Sequence, residues 1–89
     1  MRIQLQQQKI YTKAFCPFCS QAKELLKKRG VAFQEISLEN QDEAFQQELM
    51  RRSKMKTVPQ IFFHDELIGG YNELKKRDQE DQLNSLLEV

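Results

Sequence analysis

The chain has only two cysteines, Cys16 and Cys19, which the run Cys16-Pro17-Phe18-Cys19 sets three positions apart. Apolar residues with helical spacing follow at positions 22–26, so we expect Cys16 at the N-terminus of a helix. Free backbone N–H groups and the positive end of the helix dipole favour the thiolate form of a cysteine there. Pro17 suits the first helical position because it lacks an N–H group. Cys19 falls almost one turn later on the same face, and the motif therefore predicts a redox pair.

Metal binding is the alternative chemistry for two neighbouring cysteines. Structural zinc takes four ligands, and a single Cys-x-x-Cys pair supplies only two of them. The one histidine, His64, falls in an expected hairpin turn opposite the cysteines. We therefore predict no metal ligands in this chain, and we interpret His64 as a solvated turn residue rather than a general base.

Length and composition indicate one small domain. The 89 residues suffice for a single core, and a charged fraction of 30% is ordinary for a globular protein. The formal net charge of +1 predicts no bulk attraction to nucleic acid or membrane, and no run approaches the ~18 apolar residues of a membrane span. Residues 1–8 lack the apolar core of a signal peptide. We expect a monomer in the reducing cytoplasm, where a cysteine pair serves catalysis.

Basic residues are clustered despite the balanced total. Residues 1–30 carry seven lysines and arginines against one acid, and residues 51–56 carry four more. Solvated helix faces and helix ends explain such clusters in most proteins. The alternative is that both clusters flank one site for an anionic ligand.

The first half of the chain predicts two strands around a helix. We expect residues 1–7 to be a leader or strand extension and residues 8–13 to form a first strand. A helix over about 17–29 should end at Gly30, a natural left-handed cap. A second strand is expected over 31–36.

The second half predicts two helices around a hairpin. Asn40 is expected to cap a helix that runs to about residue 53. Strands over 60–63 and 67–69 follow, joined by a tight turn, and a last helix starts at Tyr71 or Asn72 and continues to 87. The apolar stripe of the middle helix is expected to be Ala44, Phe45, Leu49 and Met50.

The element order βαβαββα has a spatial consequence. The first βαβ unit is parallel and right-handed, and the hairpin joins the same sheet antiparallel. We therefore expect an α/β fold with a four-stranded mixed sheet flanked by three helices. The loops after the first strand, before the third and after the fourth can then meet at one end.

Three motifs fall on those loops and resemble one known family. They are Tyr11-Thr12-Lys13 before the cysteines, the run Thr57-Val58-Pro59-Gln60-Ile61-Phe62, and Gly69-Gly70 before the last helix. Together with the Cys-x-x-Cys motif they resemble the glutaredoxins, a family with the thioredoxin fold. The resemblance runs from about residue 8 to the end of the chain, as one glutaredoxin domain.

The resemblance implies a glutathione-dependent thiol-disulfide oxidoreductase. Cys16 would be the nucleophile that attacks protein disulfides and protein–glutathione mixed disulfides. Cys19 would resolve the mixed disulfide internally, or glutathione would do so without Cys19. The expected partners are glutathione and disulfide-containing or glutathionylated proteins, with ribonucleotide reductase as one electron acceptor. No bound cofactor is implied.

The resemblance also implies how glutathione would be held. Thr57 and Val58 would bind it by main chain beside a cis Pro59. The helix start after Gly69 and Gly70 would bind a carboxylate. The residues implied to contact glutathione are Lys13, Phe18, Gln46, Thr57, Val58, Pro59, Gly69, Gly70, Tyr71, Asn72 and Glu73.

Individual roles and departures from the family pattern follow from the same resemblance. Lys13 would support the Cys16 thiolate or bind the glycine carboxylate of glutathione. Gln46 would reach the same carboxylate, with Gln47 and Lys56 as rivals, and Glu73 is the candidate for holding the ammonium group. Phe18 replaces the usual tyrosine and lacks its hydroxyl. Asn72 brings no charge, although it could cap the helix.

Two alternative functions remain within the same fold. One is a thioredoxin-like reductant recycled by a flavoprotein reductase, although the tryptophan that precedes the cysteines in that family is missing. The other is a carrier of a [2Fe–2S] cluster bridged with glutathione, which Pro17 is expected to disfavour.

Overall fold

The computed structural model describes residues 8–80. The expected leader over residues 1–7 and the expected end of the last helix at 87 lie outside this range. The strands are β1 (Gln8–Thr12), β2 (Gln34–Ser37), β3 (Gln60–Phe63) and β4 (Glu66–Gly69). The helices are α1 (Pro17–Lys28), α2 (Glu43–Ser53) and α3 (Tyr71–Gln79), with a 3₁₀ turn at Leu38–Asn40. Between residues 8 and 80, no helix is long and apolar enough to cross a membrane.

The four strands form one mixed sheet in the order β2-β1-β3-β4. β1 and β2 are parallel, whereas β3 is antiparallel to both β1 and β4. The predicted fold class is therefore confirmed. Because Tyr11 at the end of β1 pairs with Gln60 at the start of β3, the cysteine loop and the Thr57–Pro59 loop lie side by side. Ile61 also pairs with Gly69, which brings the third motif to the same edge.

Side chains of the sheet alternate between two cores. Ile10, Ile61 and Phe63 pack on one face against α1 and α3, where Leu26 and Leu74 are fully buried. The opposite face carries a smaller core beneath α2, made of Tyr11, Leu38, Leu49 and Phe62. Truncating a fully buried leucine to alanine typically costs about 2–5 kcal/mol. The larger core therefore fixes α1, and with it the cysteine motif, on the sheet.

The end of α1 follows the predicted pattern, but β2 starts later than expected. Gly30 has φ 72°, the Gly30 N–H bonds to the Lys27 carbonyl, and the Val31 N–H bonds to the Leu26 carbonyl at 2.9 Å. These bonds are a Schellman motif. Val31 is consequently buried in the larger core ahead of the strand, and β2 begins at Gln34 rather than at residue 31.

The predicted start of the middle helix is wrong. Asn40 ends the 3₁₀ turn, and Asp42 caps α2 by accepting the Phe45 N–H at 2.8 Å. A carboxylate at this position also meets the positive end of the helix dipole, which an amide does not. Of the predicted apolar stripe, Leu49 is buried and Met50 is half-buried, whereas Ala44 and Phe45 are exposed.

Candidate active site

Cys16 is the N-cap residue of α1 and forms a disulfide with Cys19, their Cα atoms 5.2 Å apart. The Cys19 N–H points at Cys16 Sγ at 3.1 Å, and Pro17 occupies the first helical position. In the reduced protein the same N–H would donate a charge-assisted hydrogen bond to a Cys16 thiolate. The predicted redox pair on a helix N-terminus is confirmed.

The two sulfur-bearing residues differ in accessibility. Cys19 is only 2% exposed and lies on the buried face of α1, whereas Cys16 is half-buried and reaches the surface. An external disulfide can therefore approach Cys16 but not Cys19. Thiol–disulfide exchange needs direct contact of sulfur atoms, so this difference in accessibility agrees with Cys16 as the nucleophile and Cys19 as the resolving residue, and both roles stay predictions.

A cavity of about 250 Å³ opens beside Cys16. The Val58–Pro59 peptide bond is cis, and the Val58 carbonyl oxygen lies 3.9 Å from Cys16 Sγ. Most of the residues implied to contact glutathione line this cavity, and Met55, which sequence reasoning missed, also does so. The lining residues are Phe18, Met55, Thr57, Val58, Pro59, Gly70, Tyr71, Asn72 and Glu73.

Two aromatic rings connect α1 and α3 at this cavity. The rings of Phe18 and Tyr71 are stacked, with centroids 6.2 Å apart and planes inclined by 27°. Phe18 is still 54% exposed. The pair therefore offers an apolar wall with no hydroxyl on the Phe18 side.

The start of α3 is organised by Glu73. Gly70 is the N-cap residue, and its N–H donates to Glu73 Oε1 at 2.8 Å. The expectation that Asn72 could cap this helix is therefore wrong, because the helix already begins at Tyr71. Gly69 has φ 124°, and a Cβ there would lie 2.8 Å from Glu73 Cγ. Glycine at position 69 is thus needed both for the backbone and for the Glu73 side chain.

Gln60 holds the loop that leads into the cavity. Its side chain is fully buried, and its Nε2 donates to the carbonyls of Met55 and Thr57, each at 3.1 Å. Its Oε1 is buried without a hydrogen-bond partner among the residues that the structure describes. No feature of the sequence indicated this role, because the burial of Gln60 is seen only in the fold.

Lys13 and Gln46 do not line the cavity of about 250 Å³. Lys13 is exposed and lies on the opposite side of Cys16. The Gln46 Nε2 donates to the carbonyls of Leu38 at 2.8 Å and Gln41 at 3.1 Å, which ties α2 to the preceding turn. Contact of these two residues with glutathione stays a prediction.

A second cavity, of about 600 Å³, opens on the Lys13 side of Cys16. Both cysteines line it, together with Lys13, Phe15, Lys23, Glu35, Glu39 and small polar residues. Its wall is hydrogen-bonded through Glu35. The carboxylate of Glu35 accepts from Thr12 Oγ1 at 2.8 Å and from Lys23 Nζ at 3.1 Å. Partial burial acts to raise the pKa of Glu35, but the hydrogen bonds from Thr12 and Lys23 and the nearby positive charges outweigh it and lower the pKa.

His64 takes no part in either cavity. It lies in the β3–β4 turn with φ 58°, at the end of β3 remote from Gln60. The residue is half-buried rather than solvated, and its Nε2 is shielded from solvent.

Comparison with known proteins gives consistent matches along the chain. The sequence model of the family described as Glutaredoxin matches residues 9–68. Glutaredoxin 3 of Escherichia coli (strain K12) is 44% identical over 78 residues, which cover 88% of this chain and 93% of that protein. A glutaredoxin of Pseudomonas aeruginosa is 41% identical over 78 residues, with coverage of 88% and 92%.

Solved structures match the fold equally well. The buckwheat glutaredoxin–glutathione complex gives a TM-score of 0.85 at 26% identity, covering 91% of this chain and 76% of that one. The glutaredoxin from Brucella melitensis gives a TM-score of 0.80 at 36% identity, with coverage of 92% and 88%. Both sequence and fold are therefore similar to the same set of proteins.

Proposed function

Because the chain belongs to the glutaredoxin family and is a thiol-disulfide oxidoreductase, we propose that glutathione is its co-substrate and reductant. The substrates are protein disulfides and protein–glutathione mixed disulfides. The observation that carries the proposal is the position of Cys16 Sγ, 3.9 Å from the Val58 carbonyl at the edge of a peptide-sized cavity. A relative from buckwheat has been solved in complex with glutathione.

Glutathione would lie along the Val58 main chain with its sulfur facing Cys16. Main-chain groups beside a cis-proline can pair with an extended peptide as a neighbouring strand does. The N–H groups at the start of α3 would receive a carboxylate of the ligand, since a helix N-terminus favours anions. Glu73 would keep its hydrogen bond to Gly70 and face the ammonium group.

Protein disulfides are reduced by the two cysteines together. The Cys16 thiolate attacks one substrate sulfur, forms an intermolecular disulfide and releases the other substrate sulfur as a thiolate, which takes a proton. Cys19, once deprotonated, then attacks Cys16 Sγ and releases the second substrate thiol. The protein is left as the Cys16–Cys19 disulfide, and two glutathione molecules return it to the dithiol while forming glutathione disulfide.

Protein–glutathione mixed disulfides need Cys16 alone. The Cys16 thiolate attacks the glutathione sulfur and releases the protein thiol. A second glutathione then attacks the sulfur of the bound glutathione, which releases Cys16 and forms glutathione disulfide. Cys19 is not required in this cycle.

The test compares Cys16→Ser and Cys19→Ser in an assay coupled to glutathione reductase and NADPH. Cys16→Ser should lose turnover of a cysteine–glutathione mixed disulfide and of insulin. Cys19→Ser should keep the first activity and lose the second. Equal loss of both activities in Cys19→Ser would overturn the assignment of roles. Turnover supported by a thioredoxin reductase but not by glutathione would favour the thioredoxin-like alternative.

We also propose an oligomeric state, a compartment and one electron acceptor for the protein. The protein acts as a monomer in the cytoplasm, because one chain supplies both cysteines and the adjoining cavities and a reducing compartment regenerates the dithiol. Ribonucleotide reductase is one acceptor of its electrons, which follows from the family resemblance. Reconstitution of deoxyribonucleotide synthesis with glutathione, this protein and a ribonucleotide reductase tests that step.

A further inference from the structure

We propose that the polypeptide flanking a substrate disulfide docks on the larger cavity, against the exposed ring of Phe15. We call this surface the Phe15 face and define it as Lys13, Phe15, Lys23, Glu35 and Glu39 around the cavity of about 600 Å³. The inference names the protein-binding part of the same redox site. The docking of a polypeptide on this face requires only the oxidoreductase activity. The claim that the face is separate from the glutathione cavity rests on the proposed function.

Phe15 is held in an unusual conformation directly before Cys16. The residue is fully exposed and its φ is 57°, in the left-handed region that bulky residues rarely adopt. The other two exposed phenylalanines have aromatic neighbours, since Phe18 stacks on Tyr71 and Phe45 contacts Tyr11. Phe15 has no ring contact within the described residues. Backbone outliers of this kind concentrate at functional sites.

The reaction itself decides what covers this surface. A substrate disulfide must bring one sulfur atom into contact with Cys16 Sγ, so the adjoining polypeptide has to lie on the residues around Cys16. One side is the cavity of about 250 Å³ that is assigned to glutathione. The other side is the larger cavity, which both cysteines line and Phe15 borders. A polypeptide segment on that side leaves the glutathione cavity free for the second half of the cycle.

The charges of the Phe15 face favour a segment of low charge. Its two lysines balance its two glutamates, so the face has no net formal charge. Lys23 bonds to Glu35 at 3.1 Å, and Glu39 accepts the Ala14 N–H at 3.0 Å. Apart from the exposed Lys13, the feature of this face that remains for recognition is the apolar ring of Phe15. The partner chemistry is therefore an extended segment with an apolar side chain next to its cysteine.

Two cyclic disulfide peptides that differ only in the residue before the first cysteine, leucine or serine, test this inference. Pre-reduced protein is mixed with each peptide without glutathione, and the second-order rate of formation of the Cys16–Cys19 disulfide is measured. Each exchange converts the protein dithiol to the disulfide and the peptide disulfide to the dithiol. The wild-type protein should react about 10-fold faster with the leucine peptide, which corresponds to about 1.4 kcal/mol.

Phe15→Ser should abolish the preference between the peptides while leaving the rate with hydroxyethyl disulfide, a small reagent, unchanged. Phe15→Tyr should retain the preference, and Phe45→Ser, the same change at another exposed ring, should also retain it. A preference that survives in Phe15→Ser, or its absence in the wild-type protein, would overturn the inference. An equal loss with hydroxyethyl disulfide would show that Phe15 acts on Cys16 and not on the partner. Because no glutathione is present, failure of the glutathione proposal would appear only in the coupled assay.

Discussion

The buried carboxamide of Gln60 should control glutathione binding more strongly than it controls stability. Gln60→Met keeps the length of the side chain and removes two hydrogen bonds, to the carbonyls of Met55 and Thr57. Each neutral hydrogen bond contributes about 1 kcal/mol net, so their loss is worth about 2 kcal/mol. The substitution also removes the buried Oε1, which has no partner in the described part of the chain. An unsatisfied buried acceptor costs about 1–3 kcal/mol, so this gain offsets much of the loss.

The expected change in unfolding free energy is therefore within about 1 kcal/mol, or about 4–8 °C in Tm for a domain of this size. The loop, in contrast, loses its only side-chain anchor from β3 among residues 8–80. Met55 and Thr57 line the cavity of about 250 Å³ that we propose for glutathione. We expect KM for a cysteine–glutathione mixed disulfide to rise about 10-fold with little change in kcat, which corresponds to about 1.4 kcal/mol.

The assay measures initial rates against mixed-disulfide concentration, with denaturation followed on the same samples. Gln34→Met is the matched control, because Gln34 is exposed on the edge strand β2. An unchanged KM together with a drop in Tm would refute the reasoning and make Gln60 a residue of stability alone. A fall in kcat without a rise in KM would also contradict it, since the anchor should not affect the chemistry at Cys16.

Three further perturbations test other contacts. Gly69→Ala should destabilise the protein by about 2 kcal/mol in urea denaturation, because it strains a positive φ and its Cβ would displace the side chain that caps α3. Gly70→Ala, whose Cβ would meet nothing nearer than 3.3 Å, should cost clearly less. The lowered pKa of Glu35 means that its stabilisation is present above about pH 4.5 and is lost as the pH falls below it. Glu35→Gln should therefore lower the free energy of unfolding at pH 7. At pH 3 the variant and the wild type should differ less in this free energy, and a difference that does not change with pH would contradict the prediction. The bidentate pair of Arg29 and Asp78 joins the end of α1 to α3, and a double-mutant cycle should give a coupling of about 1 kcal/mol or less because the arginine side chain is 48% exposed.

Local chemistry made parts of this structure predictable. The Schellman motif at Gly30 depends on neighbouring residues only, and so does the position of Cys16 before Pro17. The pattern of apolar residues likewise predicted β1 and β3, because the two cores lie on opposite faces of these strands. An error arose where two nearby residues compete for one role. Asn40 and Asp42 are both good N-cap residues, and the 3₁₀ turn that decides between them is held by Gln46 from within α2.

Side chains that bridge distant segments could not be predicted in the same way. Whether Gln46 points to a ligand or to the Leu38 carbonyl depends on a turn eight residues earlier in the chain. Glu73 is suited to an ammonium group by charge, but its nearest partner is the Gly70 N–H. Gln60 gave no signal of its role at all, since its two acceptors belong to a loop with no regular structure. Spacing identifies which residues can meet, and packing decides which of their polar atoms stay free.

The position of Cys16 between two unequal cavities follows from the register of the sheet. Pairing of Tyr11 with Gln60 sets the end of β1 beside the start of β3, so the Val58 carbonyl closes one side of the sulfur. Parallel pairing of Thr12 with Ser37 brings β2 to the other side, where the larger cavity opens. Cys16 Sγ thus has the main chain of Val58 on one side, which is suited to a small peptide, and the open larger cavity with its hydrogen-bonded wall on the other. On the proposed assignment of the two cavities, a single accessible sulfur exchanges first with a protein and afterwards with glutathione, without the two partners competing for the same surface.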